Sequence, residues 1–390
     1  MRSCCIGRAA LAIFAIAGAA GAHPAFSAGA EPALTGNPAR DLVVETQLLA
    51  PALKRSIKQL AQAKDPGQLS AAARIEAAQR MIEDGRANGD PRTLGYAEAL
   101  LEPWRNDIAA PSDVLVLRAT IEQARHHFPR AREILDRVLA RDAQHPQALL
   151  TRATIATVTG DYESARRDCL MLRPLAADAA AVCSAAIDAV TGAEQRAIDI
   201  LRLAVGRTQG AMRAWALAAL AQVFEQSGGV DAALEAYRAS LAIDEDLVTR
   251  VALANLLFSQ RRIREAQQSL AAAPPGDAVL LLRWQIARAL DEPTVDLHHQ
   301  LRERFAQAAA RGELAHAREA AQFALQDGRI DDALRLAREN WSAQREPADL
   351  LVFARAAHAA DNKAMKVEVV RWLLRTQLRD ARLPTQTKRS

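Results

Sequence analysis

The sequence predicts an all-α solenoid of antiparallel helix pairs, and three observations carry that expectation. Half of the 390 residues are apolar, yet only 4% are aromatic and alanine is abundant throughout. Alanine is the best helix former and presents little bulk where helices approach closely. Short windows recur at a spacing of about 34 residues, the mark of a stacked repeat. Eighteen glycines and sixteen prolines are few for this length, and they fall between periodic segments, where turns need them.

The self-similarity is read directly. Arg118-Ala119-Thr120-Ile121 recurs as Arg152-Ala153-Thr154-Ile155. Phe128-x-x-Ala131 recurs in the same register as Tyr162-x-x-Ala165, after a Gly160-Asp161-Tyr162 turn. Ala153 and Ala165 are small where two helices of a pair cross. Gly160 allows the backbone to leave the first helix, as a glycine just past a C-terminus does. Pro146 stands where a helix begins and its missing N–H costs nothing. Fainter copies keep the register, with alanines at 131, 165, 197, 233 and 266 and again at 333.

These residues resemble the tetratricopeptide repeat, with its small residue in the first helix, Gly-Asp-Tyr turn and alanine in the second. The resemblance covers residues 112–346 closely and 69–379 loosely. It implies a right-handed superhelical solenoid and a bacterial protein that holds another protein rather than an enzyme.

In chain order, residues 1–30 are expected to be a signal peptide. Arg2 and Arg8 precede an apolar run from Ala9 to Ala22, and Ala28-Gly29-Ala30 offers a cleavage site. Ala25-Phe26-Ser27 and Ala20-Gly21-Ala22 compete with it, and an uncleaved membrane anchor is the alternative. Residues 31–68 follow as a linker and a capping helix. A degenerate helix pair occupies 69–111, repeats fill 112–276, degenerate pairs fill 277–380, and 381–390 form a disordered tail. A mature protein of this design is periplasmic or secreted. No later segment is apolar enough to span a membrane.

Function is expected on the first helix of each pair, which lines the inner face in the repeat family. By that analogy the ligand-groove candidates are Gln123, Thr154, Thr157, Trp215, Gln222, Asn255 and Phe258. Amides beside apolar side chains suit an extended peptide, so a protein or peptide partner is expected. Arg118 and Arg152 depart from the family's leucine and are expected in internal ion pairs, with Glu122 one turn from Arg118. Cys169 falls in the second helix of one unit and Cys183 in the first helix of the next, elements that pack as neighbours. An oxidising compartment would let them bond, and otherwise they are two small buried thiols.

No cofactor or metal is expected. His126-His127 and His298-His299 are adjacent pairs, and neighbours on a helix point about 100° apart, so neither chelates by itself. The net charge of +4 is spread over mixed-sign faces, with no basic run interleaved with aromatics, so nucleic acid is not an expected partner. Signatures of serine hydrolases, zinc proteases and nucleotide-binding folds are missing. A cytoplasmic regulator on the same repeats, or an envelope enzyme built on a solenoid, is the rival reading.

Overall fold

The computed structural model describes residues 69–89, 92–107 and 109–383. The expected leader, linker, capping helix and last residues of the tail lie outside this range. Within it the chain is a run of antiparallel helix pairs. These are α1 (Ala71–Asn88) with α2 (Arg92–Leu100), α3 (Ser112–Ala124) with α4 (Phe128–Arg141), and α5 (Pro146–Thr159) with α6 (Tyr162–Leu172). Next come α7 (Ala177–Val190) with α8 (Glu194–Arg207), α9 (Gly210–Ser227) with α10 (Val230–Leu241), and α11 (Leu247–Ser259) with α12 (Ile263–Ser269). The last are α13 (Asp277–Ala289) with α14 (Val295–Ala310), α15 (Ala317–Gln326) with α16 (Ile330–Ala343), and α17 (Pro347–Ala359) with α18 (Lys363–Thr376). Among the described residues there is no strand.

The reversal inside each pair has a common local cause. A residue with positive φ follows the first helix: Gly89, His126, Gly160, Gly192, Gly228, Arg261, Asp291, Gly328 or Asp361. This left-handed step lets the chain double back within a few residues while the last carbonyls of the helix find donors. Glycine takes it freely. Arg261 at φ 61° and Asp361 at φ 47° take it against the Cβ penalty of about 1–2 kcal/mol. The sequence pattern is therefore blurred at these turns while the backbone pattern is not.

The packing repeats equally. The alanines at 131, 165, 197, 233, 266 and 333 are all fully buried, as are Ala119, Ala153, Ala221, Ala254 and Ala321 of the first helices. Where the axes cross so closely any larger side chain would separate them. In the degenerate pair α13/α14 the corresponding contact is made by larger groups, with Leu301, Trp284 and Phe323 in one apolar cluster.

The array curves until it meets itself. A Cβ built on Gly89 at the end of α1 would lie 2.9 Å from Leu247 at the start of α11. Further on, α16 to α18 and the segment after them rest against the ends of α5, α7 and α9. The Arg345 backbone N–H donates to the Val158 carbonyl at 2.7 Å, and Ala381 N–H donates to the Gln226 carbonyl at 2.8 Å. The Trp372 ring lies 6.2 Å from that of Tyr162 and 5.1 Å from that of Trp341. Arg379 reaches Glu194 at 3.3 Å, and Arg382 reaches Glu225 at 2.8 Å.

This closure corrects the expectation of a disordered tail from residue 381. Ala381 and Arg382 are held on α9, and Leu383 is buried in the apolar cluster of the last helices. Arg382 joins Asp380 to Glu225, whose other oxygen accepts from the Tyr237 hydroxyl at 2.8 Å. A charge-assisted network of this kind is satisfied only with the tail in place.

Candidate functional site

Closure of the array leaves a cavity of about 360 Å³ on its inner side. Its apolar wall comes from Ile82 and Leu94 of the first pair, Phe128 at the start of α4, and Leu247, Val248 and Val251 of α11. Helix α3 contributes Thr120, Gln123 and Ala124, and Ala278 and Val279 of α13 face them. Polar groups gather on one side: His126, Asp277, Arg304, His316, Arg318, Glu319, Gln344 and Glu346, with Arg86 and Asp246 near α11. Apolar walls with a few converging polar groups are the usual make-up of a binding cavity.

The charges in this wall are largely spoken for. Arg318 pairs with Glu319 at 3.0 Å, Asp349 at 3.4 Å and Glu346 at 3.7 Å. Burial pushes the Glu346 carboxyl well above its ordinary range and the charge of Asp349 adds to this, with Arg318 pulling the other way. Burial likewise raises Asp349, against the opposing Arg318 charge and a 2.8 Å hydrogen bond from Asn340. Asp277 accepts from Arg304 at 2.5 Å and pairs with His316. Burial acts to raise Asp277, but the hydrogen bond from His316 and the charges of His316 and Arg304 outweigh it and hold the carboxyl low.

His126 is the exception among the polar groups. Its imidazole is pushed down to about 3, first by burial and then by the positive Arg318, His316 and His127. It is thus a neutral ring at ordinary pH, with its Nδ1 3.0 Å from the Gln344 amide nitrogen, which donates to it. Its backbone occupies the left-handed turn position after α3, so one residue both reverses the chain and presents a neutral ring to the cavity.

Of the groove candidates, only Gln123 lines this cavity, and it is itself buried. Thr154 and Thr157 are half-buried, and their hydroxyls donate to the Leu150 and Ala153 carbonyls of their own helix at 2.7 and 2.9 Å. Gln222 and Phe258 are also half-buried. Trp215 and Asn255 correct the expectation of an accessible groove there, because both are buried in the array. Asn255 donates its amide to the Val251 carbonyl at 3.0 Å. The candidates assumed an open groove along every first helix, whereas Trp215 packs in the apolar core of successive pairs and Asn255 turns its amide back on its own helix.

Arg152 forms the expected internal ion pairs, bidentate to Asp168 at 2.6 and 2.8 Å and to Asp136 at 2.7 Å. Arg118 does not pair with Glu122. It donates instead to the Trp104 and Arg105 carbonyls, both at 2.9 Å, while Glu122 faces His127 and Arg130. Cys169 and Cys183 are joined by a disulfide, with Cα atoms 5.8 Å apart. In the second adjacent histidine pair, His298 is engaged with Asp327 at 2.7 Å and His299 with Glu303 at 3.6 Å. Arg318, His316, Asp277 and Gln344 were missed by sequence reasoning, because none of them occupies a position that the repeat pattern marks and only the closure of the array brings them to one cavity.

By fold the chain is a tetratricopeptide-like helical-repeat protein. Similar solved structures include a tetratricopeptide repeat protein from Parabacteroides merdae, at 16% identity and TM-score 0.37, over 77% of this chain and 99% of that one. Human IFIT1, solved as a dimer with PPP-AAAA, aligns at 12% identity and TM-score 0.46 over 83% of this chain and 86% of that one. PilF of Pseudomonas aeruginosa aligns at 17% identity and TM-score 0.28 over 60% of this chain and 94% of that one. No family profile matches the sequence, and no curated protein does. Among the described residues no helix is long and apolar enough to cross a membrane.

Proposed function

We propose that this protein is a non-catalytic scaffold of the bacterial cell envelope, and that it receives a segment of a partner protein in the central cavity. The observation that carries the reading is the cavity itself, apolar on most of its wall, with polar side chains gathered beside that wall. Such a space takes one or two apolar side chains of a segment whose backbone needs donors and acceptors. A protein partner suits it better than a nucleic acid, because Arg304 and Arg318 are already paired with carboxylates. The bond between Cys169 and Cys183 supports an oxidising compartment, in keeping with the expected leader.

The test uses Ala124, which is exposed and lines the cavity. Ala124→Trp should fill the space without disturbing the core. Envelope proteins captured by the wild-type chain would be cut into overlapping peptides and titrated against both forms by fluorescence anisotropy. The reading expects a peptide that binds the wild type and loses at least about tenfold in affinity to the variant, roughly 1.4 kcal/mol. Equal affinity for both forms would remove the cavity as the site.

A further inference from the structure

A second cleft lies on the opposite side of α3 from the cavity, and its chemistry differs. It has a volume of about 330 Å³ and is bounded by Arg105, Asn106 and Asp107 of the turn before α3, by Arg118 of α3, and by Arg130, Glu133 and Arg137 of α4. Four guanidiniums therefore meet around one space. Arg105 pairs with Glu102 at 2.9 Å and Arg130 with Glu122 at 3.2 Å. Arg137 has no ion pair or hydrogen bond with any described residue, and Arg118 spends a single nitrogen on two carbonyls.

The repeat itself says what is missing there. Arg118 and Arg152 hold the same place in successive units, 34 residues apart in a stretch that aligns without a gap. Arg152 is saturated by Asp168 in a bidentate pair and by Asp136. Counting back 34 residues from Asp168 gives Ile134, which carries no charge. The same step from Asp136 gives Glu102, whose carboxylate turns to Arg105 instead. The earlier unit thus keeps the guanidinium and lacks the carboxylate that its successor supplies from within. Burial makes the Arg118 guanidinium easier to deprotonate, and the neighbouring charges of Arg130 and Arg137 add to this. A bound anion would relieve that repulsion.

We propose that the cleft bounded by Arg105, Arg118, Arg130 and Arg137 is an oxyanion site, which takes a carboxylate or phosphate group in the place that Asp168 occupies against Arg152. The fork of a guanidinium matches the two oxygens of either group. Asp107 and Glu133 on its rim restrict the site to a small anion that can approach between them. This site is separate from the proposed partner cavity, so it stands or falls independently.

The test is calorimetric titration of the full chain at low ionic strength with citrate and, in a separate arm, with inorganic phosphate. Saturable binding of one equivalent is expected. The tighter of the two probes identifies whether the natural ligand presents carboxylate or phosphate. Arg137→Gln removes a side chain without a protein partner, so it should leave the melting temperature unchanged and weaken binding by about tenfold, the size of one charge-assisted hydrogen bond. Arg118→Lys keeps the charge and loses the fork, and should weaken binding at least as much. Binding of neither probe, or binding that both variants retain at full strength, would overturn the assignment.

Discussion

Replacing Gly160 by alanine tests closure of the array, because that glycine sits under two constraints with separate sizes. Its φ of +81° costs an alanine about 1–2 kcal/mol by itself. The new Cβ would also lie 2.6 Å from Cη2 of Trp372. That ring cannot swing away: it is buried, packs edge-on against Trp341, and carries Arg375 over its face at 4.3 Å. Overpacking against a fixed neighbour adds about 1–3 kcal/mol. Gly328 supplies the control, since its φ of +77° is nearly the same and a Cβ there would meet nothing within 4 Å. Gly328→Ala should thus cost only the strain, about 1–2 kcal/mol, and Gly160→Ala about 2–5 kcal/mol in all. Urea unfolding followed by circular dichroism would measure both, with tryptophan fluorescence reporting the surroundings of Trp372. Equal losses in the two variants, with unchanged fluorescence, would mean that α18 does not rest on the end of α5 and that the array is open in solution.

Three further outcomes follow from the same geometry. Reducing the Cys169–Cys183 bond, which closes a loop over a separation of 14 residues, should cost about 3 kcal/mol. Thiol labelling of native protein denatured without reductant should find neither cysteine free, and two free thiols would contradict the bond. Arg152→Ala strands the buried Asp168 carboxylate and should cost about 3–5 kcal/mol by chemical denaturation, so a loss below about 1 kcal/mol would show that this pair is not closed. The half-buried, neutral His126 makes stability depend on pH. Its folded value of about 3 lies below the ordinary value of 6.5, so its contribution is complete above about pH 6.5 and is lost as pH falls through that window. Going from pH 7 to pH 5 should cost up to about 2 kcal/mol. His126→Asn, which keeps an acceptor for Gln344 and tolerates the left-handed turn, should abolish that part, and an unchanged pH profile in this variant would refute the assignment.

The sequence by itself determined the helix pairs, their register and the residues at their crossings. Alanines 131, 165, 197, 233 and 266 could be picked out because close packing of two helices is a local demand, repeated in every unit and written at a fixed spacing. The nearness of Cys169 and Cys183 was legible for the same reason, since each pair must cover the apolar face of the next. The turn at Arg261 or Asp361 was less legible, because a left-handed step can be held by packing where glycine is absent. Only the tertiary structure decided how far the array curves, since curvature is the sum of small rotations between pairs that no window records. That sum places Trp372 against Gly160, Arg382 against Glu225 and Gln344 against His126. It also closes the cavity that Gln123 shares with residues from the far end of the chain.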